Sequence, residues 1–111
     1  MDKLNYYRQC LRKFLTDYAS HRLGEPSMET QVVFDQEHDH YLLLRTGWEQ
    51  KRRVHSCIFH FDIKEEKIWL QENNTDIDIG DELEEMGISR QEIVVGFHHP
   101  SLRQYSQYAV S

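Results

Sequence analysis

Apolar residues recur at Leu4, Tyr7, Leu11, Phe14, Leu15 and Tyr18, at intervals of three and four. That spacing puts them on one stripe of an amphipathic helix. Asp2 suits the cap at its start, and Gly24 followed by Pro26 ends it. Arg8 and Arg12 lie one turn apart on the outer face, with Lys13 beside Arg12. The period then changes. Residues 32–35, 41–46, 54–63 and 67–71 are runs of branched and aromatic side chains, separated by the polar turns QEHD, GWEQKR and KEE. Such runs predict four strands. Connections this short make successive strands antiparallel neighbours.

Residues 79–86 return to the helical period, with Ile79, Leu83 and Met86 on the buried edge. Asp76 or Asp78 caps this helix, and Gly87 stops it. Ser89 and Glu92 have capping-box spacing, which predicts a short helical turn before a fifth strand at 93–97. Beyond Pro100, Leu102, Tyr105 and Ala109 fit either a short helix or a twisted tail. Leu102, Tyr105, Tyr108 and Val110 then return apolar surface to the domain. The expected fold is a single α+β domain over residues 1–111. It has an N-terminal helix and an antiparallel four- to five-stranded sheet, with helices packed on one face.

Composition agrees with a folded domain: 39% of the 111 residues are hydrophobic and 29% charged. The net charge of −6 is uneven. Residues 56–87 carry ten Asp/Glu against two Lys/Arg, whereas the flanking segments are each close to neutral. An acidic surface repels phosphate, so tight direct binding of DNA is not expected. No apolar run approaches bilayer-spanning length, and the first residues lack a secretion-signal layout. A cytoplasmic protein without membrane association is the expectation. Cys10 and Cys57 lack the paired spacing of a zinc knuckle or a redox motif.

Seven histidines raise the question of a metal. His38 and His40 are two apart, His60 and Asp62 likewise, and His98 and His99 are adjacent. A site needs three or four converging ligands, and the sequence supplies pairs. No metal and no cofactor are therefore expected; a site drawing on all three places would require the fold to assemble it. Cys57 alternates with His55 and Phe59 on one side of the third strand, which is not a sufficient catalytic triad. There is neither a Gly-x-Ser-x-Gly elbow nor a phosphate-cradling loop. Residues 79–97 loosely resemble a helix-turn-helix, but the second element suits a buried strand better than a groove-reading helix.

Three groups remain as candidate sites. Asp81, Glu82, Glu84 and Glu85 sit opposite the helix's apolar edge and suit a basic protein partner. Arg8 and Arg12 are the second choice for that surface. Arg103, with His60, Asp62, His98 and His99, forms a candidate polar cluster. Its planar fork can clamp a carboxylate such as Asp35 or Asp62, or the carbonyls of a neighbouring strand, with anion binding as the functional alternative.

The fragments FDQEHDHYLLLRTGW (residues 34–48), HFDIKEEKIWLQ (60–71) and IVVGFHHPSLRQY (93–105), in this order, resemble the cyanobacterial XisI family of fdxN element excision controlling factors. The resemblance covers nearly the whole chain. It implies an XisI-like fold and a role in programmed excision of a DNA element, with a separate recombinase cutting the DNA. It also implies a companion, the endonuclease-like protein XisH. It supplies no catalytic residues. The functional expectation is a non-enzymatic accessory factor that acts through an XisH-like partner and can self-associate. The alternatives are a metal- or histidine-dependent hydrolase and a direct DNA-binding protein.

Overall fold

The computed structural model describes residues 2–21 and 27–111. Helix α1 (Lys3–Ser20) begins at Asp2, whose carboxylate accepts from the Leu4 amide at 3.0 Å. A cap of this kind contributes about 1 kcal/mol. Gly24 and Pro26, expected to end the helix, lie outside the described residues. The sheet follows as β1 (Met28–Asp35), β2 (His40–Glu49), β3 (Arg52–Lys64) and β4 (Lys67–Asn73). Strands β1 and β2 are longer than their apolar runs suggest. Backbone pairing carries them through polar positions such as Glu29↔Thr46 and Thr30↔Arg45.

Helix α2 (Ile79–Glu85) is capped by Asp78, which accepts from the Asp81 amide at 3.2 Å. Gly87, with φ of 88°, follows its end. Only Gly and a few other residues adopt that conformation readily. The 3-10 turn η1 (Arg90–Glu92) leads into β5 (Ile93–Val95). The Ser89 hydroxyl accepts from the Gln91 amide at 3.1 Å, so the cap forms. The Glu92 carboxylate does not complete the box; it accepts from Tyr7 at 2.6 Å and pairs with Lys3 at 2.5 Å.

The strand order is β1-β2-β3-β4-β5. The sheet is mixed rather than wholly antiparallel, because β5 runs parallel to β4. The β4–β5 connection passes through α2 and η1, and only a crossover of that length permits parallel neighbours. The segment 79–97 is therefore helix, 3-10 turn and strand, and the helix-turn-helix alternative does not hold. Strand β5 is also shorter than expected. Phe97 lies beyond it and is 52% exposed. A second 3-10 turn, η2 (Pro100–Tyr105), resolves the choice between helix and tail, and the chain then returns so that Ala109 bridges to Val94 in parallel. Of the residues expected to return apolar surface, Tyr108 packs against the core. Leu102, Tyr105 and Val110 stay exposed.

One face of the sheet carries the core. Tyr41, Leu43, Phe59, Phe61, Ile63, Ile68, Leu70 and Ile93 meet Tyr7, Cys10, Leu11, Phe14 and Leu15 of α1. Ile79, Leu83 and Ile88 close the same cluster. Phe14 meets Phe59 edge to face, with centroids 5.2 Å apart. Two bulges set which residues face the core. The β2–β3 register shifts at Leu43/Leu44 and the β3–β4 register at His60/Phe61. The first leaves Ile58 unopposed and pairs Cys57 with Leu44, while Phe59 pairs with Leu43. Adjacent residues of a strand face opposite ways, so Cys57 and Phe59 do not share a side as simple alternation predicts. Both cysteines are free thiols. Among the described residues, no helix is long and apolar enough to cross a membrane.

Candidate functional site

Among the described residues, no long helix covers the opposite face of the sheet, and its polar side chains converge. His40 of β2 pairs across the ladder with Asp62 of β3, and Asp62 pairs with Trp69 of β4. His60 lies two residues before Asp62, on the same face. One oxygen of Asp62, Oδ1, lies 2.7 Å from His40 Nδ1 and 2.8 Å from His60 Nε2. An ionised carboxylate can only accept, so both ring nitrogens donate. The second oxygen, Oδ2, accepts from the Gln71 amide at 3.2 Å.

Gln71 lies beside a close approach of backbone. The Gly96 amide donates to the Leu70 carbonyl at 2.8 Å, and a Cβ at position 96 would lie 2.4 Å from Gln71 Oε1. Glycine at 96 therefore makes room for the side chain that orients Asp62.

The electrostatics follow from this arrangement. The hydrogen bond to Asp62 holds the His40 imidazole above its ordinary pKa. Burial by itself would raise the Asp62 carboxyl, but the bonds from His40 and His60 outweigh it, and the carboxyl is held below the usual range. The Asp62 side chain is 15% exposed, His60 30% and His40 47%, so the cluster is grounded in the sheet and open at the top.

The predicted polar cluster divides. His60 and Asp62 come together, and His40 joins them. His98 and His99 do not: His98 lies against the Phe97 ring, and His99 caps η2 through its contact with Ser101. His38 stays in the β1–β2 turn, paired with Asp35 at 3.0 Å. Arg103 clamps carbonyls rather than a carboxylate. It donates from Nε to the His98 carbonyl at 3.1 Å and from Nη2 to the Gly96 carbonyl at 3.4 Å. Its guanidinium also lies 5.3 Å from the centre of the Trp69 ring, which takes Lys64 at 4.0 Å. Arg103 thus ties η2 to the margin of the open face, as a strap.

The acidic candidates are also redistributed. Arg90 pairs with Asp78 at 3.2 Å, with Glu84 at 2.6 Å, and with Asp81. Gly80 permits this, since a Cβ there would collide with the Arg90 guanidinium. Asp81 and Glu84 remain exposed, but their charge is largely compensated by a cation from the same domain. Glu82 instead lines a cleft of about 330 Å³ between α1 and α2, with Phe14, Tyr18, Ile77 and Met86 as its apolar lining and Asp17 as a second carboxylate. Arg8, expected on an outer face, is half-buried in a forked ion pair with Asp39 at 2.8 and 3.1 Å. Arg12, one turn on, is also half-buried.

Sequence reasoning missed Gln71 and the joining of His40 to the 60–62 pair. No match was found among the curated proteins. Two solved structures resemble this one throughout. The crystal structure of a XisI-like protein from Anabaena variabilis is 40% identical, with a TM-score of 0.91, over 99% of this chain and 100% of that one. That of fdxN element excision controlling factor XisI from Anabaena variabilis is 34% identical, with a TM-score of 0.86 and the same coverage. The family described as XisI protein matches residues 1–110. With a match over nearly every residue and the same fold in two relatives, the chain belongs to the XisI family.

Proposed function

We propose that this chain is a non-enzymatic accessory factor in the control of DNA-element excision, acting by binding a protein such as an XisH-like partner. One observation carries the reading: the likeness to an excision controlling factor runs end to end in both chains, at 34% identity. Two surface features support a protein partner. The cleft between α1 and α2 combines an apolar lining with the carboxylate of Glu82, which suits a basic side chain with an aliphatic stem, while Asp17 in the same lining already pairs with Lys13 at 2.9 Å. The C-terminal segment leaves Phe97, Leu102, Tyr105 and Val110 exposed, apolar surface that a partner can cover. The net charge of −6 argues against duplex DNA as the primary target.

The test is association kinetics between the purified chain and the XisH-like protein of the same host. Wild type forms a complex whose association rate falls with added salt. Charge reversal of Glu82 and Glu85, neither of which is paired to Arg90, slows association several-fold and leaves the melting temperature unchanged. Absence of a complex with wild-type protein overturns the partner reading. A complex with kinetics unaltered by the reversal moves the contact to the C-terminal apolar segment.

A further inference from the structure

We propose that His40, His60 and Asp62 form a binding site for one divalent transition-metal ion on the open face of the sheet. The site is independent of the accessory role above. Its basis is geometric. One potential ligand atom from each of the three side chains lies within 4.8 Å of the other two, on two neighbouring strands. Asp62 Oδ1 already stands 2.7 Å from His40 Nδ1 and 2.8 Å from His60 Nε2. With metal–ligand bonds near 2.0–2.1 Å, neighbouring ligand atoms stand roughly 3.0 Å apart in an octahedral site and about 3.3 Å apart in a tetrahedral one. For the two pairs that involve Asp62, the change from hydrogen-bonded cluster to metal site is therefore a separation of a few tenths of an ångström, and the two ring nitrogens, within 4.8 Å of each other, have to share the same centre. Rotation about the side-chain χ angles of His40 and His60, on neighbouring strands, is the movement that brings the ligand atoms into one shell.

The chemistry of the set selects the ion. Two imidazoles and one carboxylate suit zinc, cobalt(II), nickel or iron(II), whereas magnesium and calcium prefer all-oxygen shells. In the metal-free cluster, each ring nitrogen facing Asp62 carries a proton shared with the carboxylate. A cation at the centre takes the place of those protons and meets the same three atoms. Gln71 keeps its hydrogen bond to Asp62 Oδ2, leaving Oδ1 as a one-atom ligand, and the absence of a Cβ at Gly96 leaves the Gln71 side chain room to do so. Outer support of this kind is characteristic of built metal sites. The open top, where His40 is 47% exposed, leaves room for water to complete the coordination shell.

The experiment uses untagged full-length protein, stripped with chelator and dialysed. Zinc binding is measured by calorimetry, and cobalt(II) is followed by its visible absorption. One equivalent of zinc per chain, micromolar or tighter, is expected, with cobalt bands that zinc displaces and no response to magnesium. His60→Ala and Asp62→Asn weaken zinc binding at least about 100-fold, and Gln71→Ala weakens it about 10-fold. The His98→Ala/His99→Ala double variant binds as wild type does. Asp62→Asn keeps the shape of the side chain, and an unchanged circular dichroism spectrum excludes misfolding as the cause of its loss. Absence of stoichiometric zinc in wild type, binding that survives Asp62→Asn or His60→Ala, or binding lost with His98 and His99 overturns the proposal.

Discussion

The two faces of the sheet are built from alternate residues of the same strands, yet they are organised by different forces. On the helix-covered face Phe59, Phe61 and Leu43 are fully buried within the hydrophobic core cluster. That face is held by area removed from water and by close packing, which are non-directional and insensitive to pH. On the open face the neighbours of those residues, His60 and Asp62, are held by charged hydrogen bonds at the margin of solvent. Such contacts are directional and depend on proton occupancy. One strand, β3, therefore contributes stability from one side and chemistry from the other.

The comparison is broken most severely by Phe61→Ala. A fully buried ring truncated to a methyl costs about 3–5 kcal/mol, read by chemical denaturation. A cost below about 1 kcal/mol would mean that α1 does not seal this face.

Arg103→Ala tests whether the C-terminal strap belongs to the stabilising or the chemical side of the molecule. Loss of two carbonyl bonds and the contact with Trp69 lowers stability by about 1–2 kcal/mol. Zinc binding should be unchanged. A normal melting temperature with altered metal or partner binding would assign the strap to the site instead.

The smallest effect is the most specific. In chelator, the stability difference between wild type and Asp62→Asn should depend on pH. Because the pKa of His40 is raised, its contribution is complete below about pH 6.5 and is lost as pH rises through the raised value. Because the pKa of Asp62 is lowered, its contribution is complete above about pH 3.9 and is lost as pH falls through the depressed value. The difference is thus greatest in mildly acidic buffer and narrows above neutrality. Solvent screening at His40 limits it to about 1 kcal/mol. A difference that is flat across this range would show that the cluster does not couple to folding.

Most of the covered face could be read from the sequence, because its residues follow the periods of helix and strand. Leu11, Phe14 and Leu15 announce α1, and Phe59, Phe61 and Ile63 announce β3. The open face could not be read the same way, because its assembly depends on register. Counting back from the two-residue turn at Gln50 and Lys51 puts Phe61, not Asp62, opposite His40. The bulge at Ile58 slips the ladder by one residue and delivers Asp62. A second bulge, which leaves Gln71 unopposed between Leu70 and Glu72, brings its amide to the same carboxylate. Bulges carry weak local signatures, and a one-residue slip exchanges the two faces. The pairing within the acidic helix was hidden for another reason. Its charges were countable, but Arg90, beyond the helix in sequence, reaches Asp78, Asp81 and Glu84 only in three dimensions.

The parallel docking of β5 has a consequence for the order in which the molecule assembles. Strands β1 to β4 join sequence neighbours through short turns, and hairpins of this kind close in about 1–10 μs. Strand β5 has to wait for the longer crossover through α2, whose closure entropy is lost before any contact with β4 is gained. It is the chain just past β5 that carries Gly96, which lies against Gln71, which in turn orients Asp62. The imidazoles and the carboxylate belong to the β2–β3 hairpin and Gln71 to β4, whereas Gly96 comes into place beside Gln71 only with the last strand. A chain still lacking its C-terminal segment during synthesis would thus carry all three ligand side chains on β2 and β3 before Gly96 comes to lie beside Gln71.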